Sequence, residues 1–181
     1  MKINTFFIIA LLCSLYSFSS EKYALIIAVG DYPAKTGWSS ISSVNDVPLI
    51  KQSLINQSFK DGIITTLINE QATKKGIIDA INAVKAKLKE GDILVIHYSG
   101  HGQQIFDDNG DEIDSKDESI VPYDAFVRYT HNYKGENHLR DDELANIIAS
   151  VRNLLGKDGQ FLFLLDSCHS GSATRGGKTR G

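Results

Sequence analysis

The sequence predicts an α/β fold in which a mostly parallel sheet is covered by helices on both faces. Three observations predict it. Four short runs, residues 23–30, 63–68, 92–98 and 160–165, are apolar nearly throughout rather than alternating, the pattern of strands buried on two sides. Segments with apolar residues at helical spacing separate them, so strands and helices alternate along the chain. The composition is that of an ordinary globular domain: 181 residues, 42 % hydrophobic and 23 % charged, with only 3 Pro.

Each element has its own justification. The run 23–30 (YALIIAVG) is long enough for a buried strand. Residues 44–57 place Val47, Ile50 and Leu54 on one helical face, with Pro48 tolerated in the first turn. Residues 63–68 (IITTLI) are β-branched and short. Thr73 suits the cap of a helix to about Lys89, with Ile77, Ile78, Ile81, Val84 and Leu88 on one face and Gly91 as its stop. Residues 92–98 (DILVIHY) form a third strand. Residues 141–155 form a helix whose first-turn acids suit its dipole. Residues 160–165 (QFLFLL) form a fourth strand. The polar stretch 102–140 is left as one long loop, and loops of that length in a compact domain are functional or disordered.

Residues 1–19 read as a secretory signal peptide: Lys2, an apolar run over residues 6–12, and Ser17 and Ser19 at the small positions before a cut after Ser19. The apolar run is short for a membrane-spanning helix. An uncleaved anchor is the alternative. Leu12 is too large for lipoprotein processing at Cys13. The expected location is secreted or periplasmic, with no membrane association once the leader is cut. Residues 20–172 then form the folded domain. Residues 173–181 form a flexible Gly-rich basic tail. The net charge of −3 implies no broad basic surface, so nucleic acid is not an expected partner. Two cysteines cannot staple a disulfide scaffold, and a chain starting at Ser20 keeps one thiol, Cys168.

Two small-residue turns follow two of the strands: Tyr98-Ser99-Gly100-His101-Gly102 and Asp166-Ser167-Cys168-His169-Ser170-Gly171. In an open α/β sheet, ligands bind at the carboxyl ends of the strands. His101 and Cys168 therefore share one edge, and face each other if the third and fourth strands are neighbours. A Cys and a His distant in sequence but close in the fold make a nucleophile and its base. Backbone N–H groups at Gly102 and Cys168 are candidates for an oxyanion site. A buried structural thiol is the plainer reading of Cys168, but its small polar flanks are unlike a core.

These motifs resemble the caspase-like cysteine peptidases of family C14, specifically the metacaspases. The loop from His101 to Asp114, the Asp-Glu-Ser-Ile-Val-Pro-Tyr-Asp segment and Val44-Asn45-Asp46-Val47 carry the same resemblance, over about residues 22–172. It implies a caspase-like three-layer α/β/α fold, here without the C-terminal strands that a small subunit supplies: the chain is a large-subunit fragment, or the gene is truncated, or a small-subunit chain is a partner that supplies them. It implies a cysteine endopeptidase with Cys168 as nucleophile and His101 as base, cutting protein or peptide substrates after Arg or Lys. The acidic pocket for that side chain maps onto Asp46, Ser99 and Asp166; a capping or orienting role for the two acids is the alternative. Calcium is the implied cofactor, with Asp117, Asp141 and Asp142 at matching positions and Arg175 where the family has a fourth acid. Ser42-Ser43 replaces the family's Gly-Cys. The tail, with Arg175, Lys178 and Arg180, is either a self-processing site or an uncut linker.

Residues 107–118 hold seven acids against Lys116, which suits a hard cation or a solvated loop equally. An EF-hand is excluded because Glu112 stands where the loop needs Gly. His97 and His101 lack the helical zinc motif. Tyr123, Tyr129 and Tyr133 read either as a substrate groove or as surface aromatics. Two other function classes remain open on sequence: a non-catalytic module that binds Arg-bearing peptides or partner chains, and an exported calcium-binding protein.

Overall fold

The structure is a computed structural model, and it describes residues 20–107, 109–110 and 115–167. Its elements are β1 (Lys22–Ala28), α1 (Val47–Asn56), β2 (Ile64–Ile68), α2 (Lys74–Lys85), β3 (Ile93–Ser99), β4 (Gly102–Phe106), β5 (Lys116–Ile120), β6 (Leu139–Arg140), α3 (Asp141–Leu155) and β7 (Gln160–Asp166).

The main sheet runs β2-β1-β3-β7 with every pair parallel. The pairing register aligns Ala28 with Ser99, and Ser99 with Asp166, so β1, β3 and β7 end level. One face of the sheet (Leu25, Ile27, Leu94, Ile96, Tyr98) packs under Ile77, Ile81 and Val84 of α2 and Leu144, Val151 and Leu155 of α3. The opposite face (Ala24, Ile26, Ala28, Val95) packs under Val47 and Leu54 of α1. The expected three layers are therefore present. The chain leaves β1 toward α1 on one face and β3 toward α3 on the other. The carboxyl ends of β1 and β3 thus flank a topological switch point, where such folds open a crevice.

Local signals account for most boundaries. Thr73 Oγ1 accepts the Gly76 N–H at 3.0 Å and starts α2. The first helix is preceded by a 3-10 turn over Ser43–Asp46, so Pro48 falls in the first turn of α1 as expected. Two expectations need correction. The helix from Thr73 ends at Lys85 rather than near Lys89, and residues 86–92 are a turn with Gly91 at φ 86°. The segment 102–140 is not one loop, because it contains β4, β5 and β6 in a separate antiparallel sheet. Its strands are too short and polar to register as apolar runs. Strand β7 is also less buried than its apolar sequence implies: Leu162 and Leu164 are exposed on the face that α1 covers elsewhere. Among the described residues no helix is long and apolar enough to cross a membrane.

Candidate active site

His101 sits in the turn between β3 and β4, at the switch-point edge. Its backbone is fixed by two buried phenols. The Tyr32 hydroxyl accepts the His101 N–H at 3.1 Å and donates to the Val121 carbonyl at 3.0 Å. The Tyr98 hydroxyl lies 2.9 Å from the His101 carbonyl and 2.8 Å from that of Val121, and it accepts the Val121 N–H at 3.2 Å. Burial pushes the Tyr32 phenol up to about 12 and the Tyr98 phenol well above its ordinary value, so both stay protonated and can donate. Gly100 is needed here for space: a Cβ would meet the Tyr98 hydroxyl at 2.5 Å and its ring Cζ at 2.8 Å. The Gly100 N–H donates to the Asp166 carbonyl at 3.2 Å, joining the turn to the end of β7.

The imidazole is held as firmly as its backbone. Nε2 lies 2.9 Å from the Ser39 carbonyl. The ring stacks on Trp38, with centroids 4.8 Å apart and planes at 27°. Tyr32 lies against it at 5.1 Å. Bonding to a carbonyl makes Nε2 the protonated nitrogen of the neutral ring. Nδ1 has no hydrogen-bond partner among the described residues, which leaves it as the basic nitrogen.

Ser99 is buried, and its hydroxyl donates to Asp166 Oδ2 at 3.4 Å. Asp46 ends the 3-10 turn before α1 and makes no side-chain cap, which removes the capping alternative for it. His97, two residues before Ser99 on the same face, is buried and its charge is disfavoured mainly by desolvation. The charges of Asp166 and Asp46 act on it in the opposite sense. Of the pocket residues expected from sequence, Ser99 and Asp166 are in contact, and the charges of Asp46 and Asp166 both reach His97, a residue considered from sequence only for zinc. Gly102 opens β4 and is buried. Cys168, His169 and residues 170–181 lie outside the described residues, as do residues 1–19.

The three carboxylates expected to hold calcium are engaged by the protein. Asp117 is buried against Arg140, with Nε to Oδ2 at 2.8 Å. Asp141 Oδ1 accepts the Asp142 N–H, and Asp142 Oδ2 accepts from Asn109 Nδ2 at 2.6 Å. Among the described residues no three His, Cys, Asp or Glu side chains stand together as a metal-holding group. Four acids of the same loop, Asp108, Asp111, Glu112 and Asp114, lie outside the described residues.

The three tyrosines of the long segment are all packed against the protein, and Tyr129 also lines a cavity with Phe106, Phe126 and His138. Tyr133 is buried, its hydroxyl accepting the Phe126 N–H and bonding His138 Nδ1 at 2.9 Å. Tyr129 stacks on Phe106 and accepts its N–H, and Tyr123 packs against the main core. The sequence reading missed Tyr32, Trp38 and the Ser39 carbonyl, all in the irregular stretch after β1. Trp38, the single tryptophan of the chain, was the available signal.

The family model described as metacaspase, peptidase C14 domain, matches residues 22–175. The chain belongs to the metacaspase family. It is 36 % identical over 137 residues to Metacaspase-1 of Schizosaccharomyces pombe, covering 72 % of this chain and 30 % of that one. It is 35 % identical over 159 residues to Metacaspase-2 of Arabidopsis thaliana, covering 84 % and 35 %. The metacaspase domain thus spans about a third of the length of these curated relatives. Among solved structures, a crystal structure of a protein from Geobacter sulfurreducens is similar at 29 % identity and a TM-score of 0.64, covering 84 % of this chain and 52 % of that one.

Proposed function

We propose that the chain is a cysteine endopeptidase that hydrolyses peptide bonds after Arg or Lys. One observation carries the reading: His101 is clamped through Nε2 to Ser39, leaving Nδ1 open, in a turn tied to the end of β7, two residues before Cys168. In the proposed reaction Nδ1 takes the Cys168 thiol proton and the thiolate attacks the scissile carbonyl carbon. The N–H groups of Gly102 and Cys168 receive the developing oxyanion. The C–N bond breaks, and the amine leaves with the proton from His101. Water, deprotonated by the same ring, then hydrolyses the thioester and frees Cys168. Asp46 and Asp166, with Ser99, supply the negative charge and acceptors that a guanidinium or ammonium group requires.

Other parts of the reading rest on sequence. Residues 1–19 would direct export, and the basic tail would be a site of self-cleavage. The exposed Leu162 and Leu164 beside the edge of β7 suit a small-subunit chain that extends the sheet. Calcium would act through Asp117, Asp141 and Asp142 only by competing with the contacts those side chains already make.

The test is hydrolysis of a fluorogenic peptide with Arg before the reporter, with and without millimolar calcium. Cleavage that disappears in both Cys168→Ala and His101→Ala is the expected result. Cleavage that survives in either variant removes that residue from the mechanism. A folded chain that binds the peptide and never cuts it is instead a binding module.

A further inference from the structure

We propose that Trp38 is a positioning residue for His101, holding the imidazole ring in the plane from which Nδ1 can serve Cys168. The inference rests on the peptidase reading for the role of His101, but its geometry stands independently. A histidine in a turn between glycines is poorly confined by its own backbone, and hydrogen bonding at Nε2 alone leaves the ring free to swivel about that bond. The indole face removes this freedom through a stacked contact at 4.8 Å. An indole face also attracts a positive ring, so the contact favours the imidazolium that forms when His101 takes a proton.

Trp38 can do this because it is anchored itself. Its Nε1–H donates to the Ala125 carbonyl at 3.1 Å. The Val127 N–H donates to the Thr36 carbonyl at 2.9 Å, two residues before Trp38. Between them, Gly37 adopts φ 83° and lies so close to Val127 that a Cβ would fall 2.7 Å from that side chain. The stretch after β1 is thereby fastened to residues 125–127, beyond β5, and it carries the indole and the Ser39 carbonyl as well as Tyr32 to His101. Among the described residues the ring contacts of Trp38 are with His101 and Tyr32, so its proposed effect passes through His101.

The experiment has two arms, both on the full chain. Trp38 is the only tryptophan, so intrinsic emission reports its surroundings alone. An imidazole stacked on the indole quenches and shifts that emission, so His101→Gln should change its intensity and its maximum at constant pH. The second arm is the rate at which iodoacetamide alkylates Cys168, located by mass spectrometry, which requires no peptide turnover. Trp38→Ala should slow it roughly 10–100-fold, the scale of a misplaced catalytic group. Trp38→Phe, which keeps an aromatic face, should restore most of the rate.

Emission indifferent to His101→Gln, or alkylation at the native rate in a folded Trp38→Ala, overturns the proposal. If Trp38→Ala does not fold, the emission arm and Trp38→Phe against Trp38→Leu decide it. A chain whose Cys168 alkylation depends on His101 and Trp38, yet which cuts no Arg peptide, sinks the peptidase reading and leaves the positioning role intact.

Discussion

Ser99 and Asp166 stand opposite each other at the last paired position of β3 and β7, and the Ser99 hydroxyl donates to the Asp166 carboxylate at 3.4 Å. Asp166 is exposed, so its replacement leaves a surface gap and no orphaned buried charge. Asp166→Ala should keep the native melting temperature. It should lower kcat/KM on an Arg peptide roughly 30–150-fold, or about 2–3 kcal/mol, while leaving a peptide with a neutral residue at that position unaffected. Equal losses on both peptides would remove Asp166 from the pocket.

His138 makes stability depend on pH. Its ring is buried, bonded through Nδ1 to Tyr133 and through Nε2 to the Gln103 side-chain oxygen at 3.0 Å. Burial, reinforced by the Arg140 charge, lowers its pKa from 6.5 to about 4. Between those values the unfolded chain holds a proton that the folded chain refuses. Stability from this group is therefore complete above about pH 6.5 and is lost as the pH falls toward 4, by about 3 kcal/mol in all. His97 shifts in the same direction. Denaturant melts at pH 7 and pH 4.5 should show a smaller loss in His138→Gln than in the native chain. Parallel losses would refute the assignment.

Arg140 and Asp117 form a pair that is almost wholly withdrawn from water, with side-chain exposures of 10 % and 1 %. Arg140→Met leaves the carboxylate buried without its counter-charge and should cost about 3–5 kcal/mol. The same variant tests the calcium reading. If Asp117 accepts calcium, millimolar calcium should restore part of the loss in a denaturant melt. Stability unmoved by calcium would take Asp117 out of the ligand set.

Gly100→Ala should destabilise the fold by about 1–3 kcal/mol, because its methyl group collides with the fully buried Tyr98 ring and hydroxyl. It should also abolish cleavage at temperatures where the chain is still folded, since that hydroxyl fixes the His101 backbone. Thermal melting read beside peptide turnover checks both. A stable and active Gly100→Ala would show that the turn relaxes freely.

The main sheet was legible in the sequence because strands buried on both faces leave continuous apolar runs, as in residues 23–30 and 92–98. The same reading carried the expectation that the His101 and Cys168 turns share an edge, while the adjacency of β3 and β7 and their level ends came only from the structure. The small sheet was not legible. Lys116–Ile120 carries three charged residues, and β6 is two residues long, so neither has a period to detect. The support around His101 escaped for a different reason. Tyr32, Trp38 and Ser39 lie more than sixty residues before it and act through a hydroxyl, a ring face and a main-chain oxygen, none of which leaves a spacing in the sequence. The engagement of Asp117 by Arg140 likewise depends on β5 and β6 being neighbours, which the sequence did not reveal.

Strand β7 carries one side of the proposed centre, yet among the described residues it pairs with β3 alone and shows Leu162 and Leu164 to solvent. The Tyr32, Tyr98 and Trp38 scaffold on the other side is rooted in the interior. Fold and activity are therefore separable by local opening. Detachment of one outer strand would carry off Asp166 and the residues beyond it while β1, β2, β3 and α2 stay assembled. Such a molecule would lose function below its melting temperature and recover it on cooling. Anything that clasps β7 would then govern how much of the population is competent at a given moment.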